Sequence, residues 1–531
     1  MPENEVTDGV QVMPRQAPRR KRRERRSQKK INWSRYALLM VLVIATFGSI
    51  LGNDLLWTEY DQTERAPYTS MEDPADALNI EMLRSRHILD TLSYFAEVRL
   101  GLPLAQVHRG INLGLHLLAS LMLLRLLRTL EIPGAFAASL VFALHPAVVQ
   151  PLFWPGYRTE LFGLVVIIAA LSCAIRSRNW FEYLLALMLT FMACLIHKAG
   201  LFIPAILALL IYLKKGNVHL QDYNRVLPMV CIALFTGAWI HSGPAAAVAG
   251  EGIPLYQAIN HAGQSLFFFY QLALVPDSLA LFYPYDTTAV EQTTFEFSIL
   301  PFCVFLPLYV IALIKFRTSW SRGLILGLSA FMLLLIPGMN SHGLNIDGTR
   351  AHESYGLYVA LPALMALIIC GSRSIVERME FAGRSLWFTA LSLLIIVEVL
   401  LSGAFSYTLG DPIRMWQLQA EQWPKQWIPK VALINYAGES EDIGYSQSQL
   451  IRTLEELLEE NPDLIKERRM LAKIYVTAGE NNNALREYTR ILRETDPDDA
   501  FLEEAATFLD RMGLRWEANN ARKRMKTPPA E

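Results

Sequence analysis

Phe142-Ala-Leu-His-Pro-Ala-Val-Val-Gln-Pro-Leu-Phe-Trp-Pro-Gly-Tyr-Arg-Thr-Glu160 lies between two apolar segments of the chain, which predicts a short hairpin between two membrane spans. The stretch carries His145, Arg158, Glu160 and three prolines, which a plain connector does not need. Backbone broken by proline at membrane depth is tolerated only where protein or a water-filled cavity surrounds it, and ionisable residues there usually belong to a substrate pathway. An interfacial loop with a snorkelling arginine is the alternative.

Composition places the hairpin in a membrane protein. Of the 531 residues, 52% are hydrophobic and only 19% are charged, and the apolar residues are gathered in long runs. This predicts an all-α, polytopic membrane helix bundle. The basic run Arg19–Arg26 directly precedes the first apolar run, which indicates a cytoplasmic tail that contacts anionic lipid and not a nucleic-acid site. The five cysteines all lie in apolar runs, so neither a disulfide framework nor a thiolate metal site is predicted.

Eleven apolar runs have spanning length or slightly less, and they lie near 36–53, 107–127, 134–150, 160–175, 180–196, 199–213, 226–241, 297–314, 322–337, 355–371 and 385–402. Lysines and arginines of the alternate short loops then share one face, which predicts a cytoplasmic N-terminus and a C-terminus outside. The hairpin, the His197-Lys198 corner and the segment 338–354 share the outer face. We therefore expect one outward-facing site.

The domain organisation follows from these runs. Residues 1–35 form the basic tail and 36–402 the transmembrane domain, whose first outer loop, 53–106, holds an amphipathic interfacial helix near 83–102. We expect a helix near 259–276 to enter only the outer leaflet; a further membrane span is the alternative. Residues 403–440 are a linker. In residues 441–531, Gly479 and Gly513 lie 34 residues apart, as do Ala484 and Ala518, which is typical of tetratricopeptide repeats. A generic array of helical hairpins is the alternative.

Charged residues near the outer ends of these spans indicate a possible chemistry. Asp61, a few residues after the first span, could take the proton of an acceptor hydroxyl that attacks an activated sugar. The leaving lipid phosphate would need cations, and Arg158, Lys198 and Arg350 all fall at outer span ends. A solvated surface aspartate is the alternative for Asp61. No His, Cys or carboxylate spacing predicts zinc, and a divalent ion at Asp61 stays open.

Read in order, the motifs resemble multispanning GT-C glycosyltransferases, and are most similar to the tetratricopeptide-bearing protein O-mannosyltransferases and their bacterial relatives. The resemblance rests on the acidic first loop, Val107-His-Arg-Gly-Ile-Asn-Leu-Gly-Leu-His116, the His-Pro hairpin with Arg158, His197-Lys198-Ala-Gly200, Phe268–Tyr285, Arg350–Tyr358 and the C-terminal repeats. It implies transfer of a sugar from a polyprenyl-phosphate-linked donor to a protein or glycan on the outer face, with Asp61 as base.

The resemblance also implies residues that line the cavity, namely His145, Gln150, Glu160, His197, Glu353 and Tyr355. Gln62 and Gln150 stand where the family usually has acidic residues. Two other classes therefore stay open: a non-catalytic scaffold that presents the repeats to a partner protein, and a transporter of lipid-linked glycan, although inverted repeats are not evident. The basic tail and the absence of outer-face cysteines favour a bacterial inner membrane with a periplasmic C-terminal domain.

Overall fold

The computed structural model describes residues 33–52, 88–99, 104–154, 157–215, 219–242, 255–276, 279–280, 283–284, 306–312, 314–315, 319–339, 345–346, 349–352, 354–376, 381–423, 429–430, 432–433, 447–460, 462, 464–494 and 497–525. These residues are helical apart from turns and three very short strands. The prediction of an all-α helix bundle is confirmed at this level.

The first part of the chain contains a series of helices, most of them apolar. They are α1 Trp33–Phe47, α2 Ile88–Arg99, α3 Leu104–Thr129, α4 Ala135–Leu144, α5 Val149–Phe153, α6 Arg158–Arg176, α7 Trp180–Ile196, α8 Ile203–Lys215, α9 Leu227–His241, α10 Leu255–Leu274, α11 Ser319–Met339, α12 Leu361–Val376, α13 Phe381–Leu409 and α14 Pro412–Gln422. Each apolar run of the sequence carries a helix, with residues 306–312 helical in the run near 297–314.

Five of these helices are long and apolar enough to cross a membrane, and α4 with the following helical segment makes a sixth if the bent pair counts as one span. The five are Trp33–Gly52, Ala105–Thr129, Arg158–Arg176, Ser321–Gly338 and Gly383–Leu409. The other apolar helices are 10–17 residues long. The count of eleven spans therefore stays a prediction.

The His-Pro hairpin is a helix broken at His145. The chain bends by 55° between α4 and the segment Pro146–Phe153, because proline cannot continue the ladder of backbone hydrogen bonds. A break leaves backbone carbonyls without helical partners; side chains of α3 and α13 satisfy two of them at His145, and a side chain of α3 satisfies a third at the end of α5. His116 Nε2 donates to the Ala143 carbonyl at 3.0 Å, Ser402 Oγ to Leu144 at 2.6 Å and Asn112 Nδ2 to Leu152 at 3.2 Å.

Three short strands join two segments that are distant in sequence. They are β1 Tyr283–Pro284, β2 Asn345–Ile346 and β3 Thr349–His352, with β3 in the middle and both pairings antiparallel. Tyr283 is opposite His352, and Asn345 is opposite Arg350. The backbone around Arg350 therefore lies beside the segment that follows α10.

The helix of the first outer loop, α2, packs differently from the prediction. The sequence places Asp90 and Glu97 on the polar face of an interfacial helix, but both side chains are buried against the bundle, Glu97 to 1% exposure. Thr159 at the start of α6 donates a hydrogen bond to Asp90, and Glu97 pairs with Arg158. Because α6 offers partners for both carboxylates, part of the polar face of α2 packs inward. Arg99 is exposed.

The C-terminal part consists of helices α15 Gln447–Glu460, α16 Ile465–Thr477, α17 Asn481–Glu494, α18 Asp499–Arg511 and α19 Arg515–Lys523. The turns after α16 and α18 are alike: Gly479 and Gly513 have φ of 77° and 79°, and the next N–H donates to a carbonyl five residues earlier. Glycine adopts this left-handed conformation without the steric cost that other residues pay. The 34-residue period thus corresponds to a repeated helical hairpin, while the tetratricopeptide assignment stays a prediction.

Candidate functional site

A cluster of buried polar side chains lies at the end of the bundle where α6 begins. Arg158 is fully buried, and its guanidinium donates to Asn112 Oδ1 at 2.8 Å, to Ser93 Oγ at 2.6 Å, to the His108 carbonyl at 3.1 Å and to Glu97. Its carbon Cζ also lies 4.4 Å from the centre of the Tyr94 ring. The guanidinium therefore ties α2, α3 and α6 together.

Glu97 is the anion of this cluster. Its Oε1 accepts from Arg158 and Ser93, and its Oε2 contacts His108 Nδ1. Burial raises the pKa of the Glu97 carboxyl, but the hydrogen bond from His108 and the charges of Arg158 and His108 outweigh burial, so the net pKa lies below its ordinary value. Because an ionised carboxylate only accepts hydrogen bonds, the proton of His108 sits on Nδ1. Nε2 of His108 is buried without a hydrogen-bond partner among the described residues.

His145 and His197 each cap the start of a 3₁₀ turn with the side chain. Each precedes a 3₁₀ turn, and its Nδ1 accepts the backbone N–H two residues later, from Ala147 at 3.1 Å and from Ala199 at 3.0 Å. Each Nε2 must then carry the proton. His145 donates it to the Ala273 carbonyl near the end of α10, at 3.0 Å. The hydrogen bonds therefore hold each imidazole in the tautomer that carries its proton on Nε2.

His197 donates its Nε2 proton to Glu160 Oε1, at 3.0 Å, and both side chains are nearly buried. Gly163, one turn after Glu160 on α6, makes room for the ring: a Cβ there would lie 2.8 Å from Cβ and from Cγ of His197. The second carboxylate oxygen, Glu160 Oε2, is buried and has no hydrogen-bond partner among the described residues. The hairpin and the His197 corner are thus joined by one carboxylate.

The structure brings some of the predicted site residues together. Arg158, Glu160 and His197 lie at the same end of the bundle as the hairpin residues His145 and Gln150, which are buried. Lys198, which follows His197, is exposed.

The structure does not describe the side chains of four other predicted site residues. Asp61 and Glu353 lie outside the described residues, and of Arg350 and Tyr355 only the backbone is described. The phosphate-binding role of Arg158 stays a prediction, because the guanidinium is engaged by Glu97 and its neighbours. Within the described ranges, no group of three or more His, Cys, Asp and Glu side chains could hold a metal ion. The divalent ion at Asp61 stays open.

Glu97, His108 and Asn112 form the cluster around Arg158, although no motif in the sequence predicts a role for them at the site. Glu97 looks like a solvated residue on an amphipathic helix, and His108 like a core histidine. Their shared signal is position: Glu97 lies in the predicted first outer loop, and His108 and Asn112 lie near the start of the apolar run that follows it, on the face predicted to carry the site. A search for oppositely charged residues at equal depth could have paired Glu97 with Arg158.

No protein-family model matches this chain, and no curated protein matches it significantly.

Proposed function

We propose that this protein is a membrane glycosyltransferase of the GT-C type, which moves a sugar from a polyprenyl-phosphate-linked donor to a protein or glycan acceptor on the outer face of a bacterial inner membrane. One observation carries the proposal. Buried polar side chains from α2, α3 and α6, together with His197 after α7, meet at one end of the bundle. Buried polar and ionisable groups at membrane depth are costly, and they usually mark a substrate pathway.

In this proposal the eleven apolar runs span the membrane, the N-terminus is cytoplasmic, and residues 441–531 form periplasmic tetratricopeptide-like repeats that hold the acceptor or a partner protein. Asp61 takes the proton of the acceptor hydroxyl while the hydroxyl oxygen forms a bond to the anomeric carbon of the sugar. The bond from that carbon to the phosphate oxygen breaks, and the lipid phosphate leaves with the electron pair. Lys198 and Arg350 neutralise it. Arg158 is the third cation of the phosphate site in this proposal, and its contact with Glu97 also fixes α2.

The test is transfer of labelled sugar from polyprenyl-phosphate hexoses to candidate acceptors, by the full chain in membranes. Asp61→Asn keeps the size of the side chain and removes its basicity, so we expect turnover to fall by roughly 10²–10⁴. Asp411→Asn is the matched control: Asp411 caps α14 through the N–H groups of Ile413 and Arg414, and asparagine caps equally well. Unchanged transfer by Asp61→Asn would refute the assignment of the base.

A second candidate is a non-catalytic scaffold that presents the C-terminal helices to a partner protein. Two observations favour it: Arg158 is engaged inside the protein, and a cleft of about 440 Å³ among the C-terminal helices is lined by Tyr488, Glu503, Glu504, Phe508 and Arg511, among others. A scaffold would show no transfer by the wild type with any donor and acceptor pair. It would still bind its partner through residues 441–531.

A further inference from the structure

The Glu160 carboxylate has an unused hydrogen-bond acceptor at the polar end of the bundle. Oε1 accepts from His197, whereas Oε2 is buried with no hydrogen-bond partner in the described part of the chain. A polar group left unpaired in a protein interior costs free energy, and more so when it is charged. An unpaired carboxylate oxygen at such a place is therefore a position where a ligand gains by donating a hydrogen bond.

The environment fixes where this oxygen points. His197 is held in one tautomer by the Ala199 N–H, so its Nε2 always presents a proton to Oε1. The imidazole packs on Gly163, where a Cβ would collide with it. The carboxylate is thus held from one side by a rigid donor, and its rotation would break that bond. Preorganised groups of this kind are typical of binding sites.

The Tyr358 hydroxyl does not satisfy Oε2. Tyr358 lies within electrostatic reach of Glu160, but its hydroxyl is 2.9 Å from His116 Nδ1. His116 Nε2 donates to the Ala143 carbonyl, so Nδ1 has to accept, and the single proton of the Tyr358 hydroxyl goes to His116. The protons of Tyr358 and His197 are both assigned. The donor for Oε2 must come from elsewhere.

We propose that Glu160 Oε2 accepts a hydrogen bond from a hydroxyl group of the transferred sugar and thereby helps to select it. This inference rests on the proposed function for the choice of a sugar. A neutral hydroxyl fits a buried acceptor held by a neutral imidazole, whereas a phosphate would be repelled by the carboxylate. The role of Glu160 is therefore recognition of the sugar, separate from neutralisation of the phosphate.

The test compares two ligands on the full chain in nanodiscs: polyprenyl phosphate alone, and polyprenyl-phosphate hexoses such as the mannosyl, glucosyl and galactosyl forms. The ratio of their dissociation constants reports the contribution of the sugar. Glu160→Gln keeps an oxygen for His197 and places an amide donor where Oε2 was, so we expect the ratio to fall by about tenfold or more. A sugar donor that lacks the contacted hydroxyl should bind the wild type more weakly than the complete donor does. The Glu160→Gln variant should bind the two donors with equal affinity.

Two further variants separate recognition from folding. Glu182→Gln, at the opposite end of α7, changes a half-buried glutamate whose carboxylate accepts the backbone N–H of Arg178 at the start of that helix, and it should leave the ratio unchanged. Gly163→Ala alters no polar group but displaces His197, and it should lower the ratio. Cooperative thermal unfolding, followed by a thiol dye on buried Cys194, reports whether each variant folds.

The outcomes are distinguishable. If folded Glu160→Gln keeps the wild-type ratio, the inference is overturned and Oε2 binds water. If wild type itself binds the lipid phosphate equally with and without any hexose, the proposed function fails and the inference fails with it.

Discussion

Removing either charge of the Glu97–Arg158 pair should destabilise the protein strongly, and removing both should cost less than the sum. Both side chains are almost completely buried. Breaking a buried ion pair by removing one partner leaves an uncompensated charge and typically costs about 3–5 kcal/mol. His108 still contacts Glu97 after Arg158→Gln, so we expect about 3 kcal/mol for that variant. Glu97→Gln leaves a buried guanidinium beside neutral groups and should cost more.

The assay is the free energy of unfolding in mixed detergent micelles, measured for both single variants and the double variant. The double variant leaves no unpaired charge, so the two effects should be non-additive, with a coupling of about 1–3 kcal/mol. The control pair is Arg452–Glu456 on α15, whose side chains are 81% and 60% exposed. Exposed pairs contribute little, and its double cycle should show no coupling. Additive losses at Glu97 and Arg158 would refute the view that this pair fixes α2 to the bundle.

Four further predictions concern other parts of the chain. A phosphatase reporter fused after Glu531 should be active in the periplasm; an inactive fusion, with an active cytoplasmic reporter at the same site, would contradict the proposed orientation. Residues 441–531 expressed alone should be soluble and strongly helical by circular dichroism, and a disordered fragment would mean that the 34-residue spacing is accidental. In that fragment, Gly479→Ala or Gly513→Ala should cost about 1 kcal/mol in thermal unfolding, because both glycines have φ near 78°, whereas Gly479→Asn should cost less. The pKa of Glu97 is lowered in the folded state, so its stabilisation is present above the ordinary value of 4.5 and is lost as the pH falls through the lower folded-state value; Glu97→Gln should show a flatter acid limb in the pH dependence of unfolding.

Much of the helical organisation is readable in the sequence, because it depends on local signals. Apolar runs predict the helices, Pro146 predicts the break in the hairpin, and the spacing of the glycines at 479 and 513 predicts a repeated helical unit. The length of the helices was less predictable. Several apolar runs carry helices too short to meet the requirements of a span by themselves.

The site was harder to predict because its contacts are not local. Glu97 and Arg158 are 61 residues apart, and Glu160 and His197 are 37 apart. Whether a charged residue on a helix faces water or a partner depends on which helix packs against it, and no periodicity within α2 contains that information. His197 can donate only one proton to Glu160, which leaves Oε2 without a donor from this ring. The tautomer of His197 is defined by its surrounding hydrogen bonds and cannot be read from the sequence.

The broken helix at His145 has a consequence for biogenesis. The Leu144 carbonyl accepts its side-chain hydrogen bond from Ser402, which is 258 residues later in the chain. During synthesis, the ribosome adds α13 long after it has added the hairpin. Until α13 packs against the hairpin, the Leu144 carbonyl must accept its hydrogen bond from water, from a lipid head group or from the insertion machinery. The polar end of the bundle therefore matures last, and a chain truncated before α13 would keep its hairpin in an immature, wetter state.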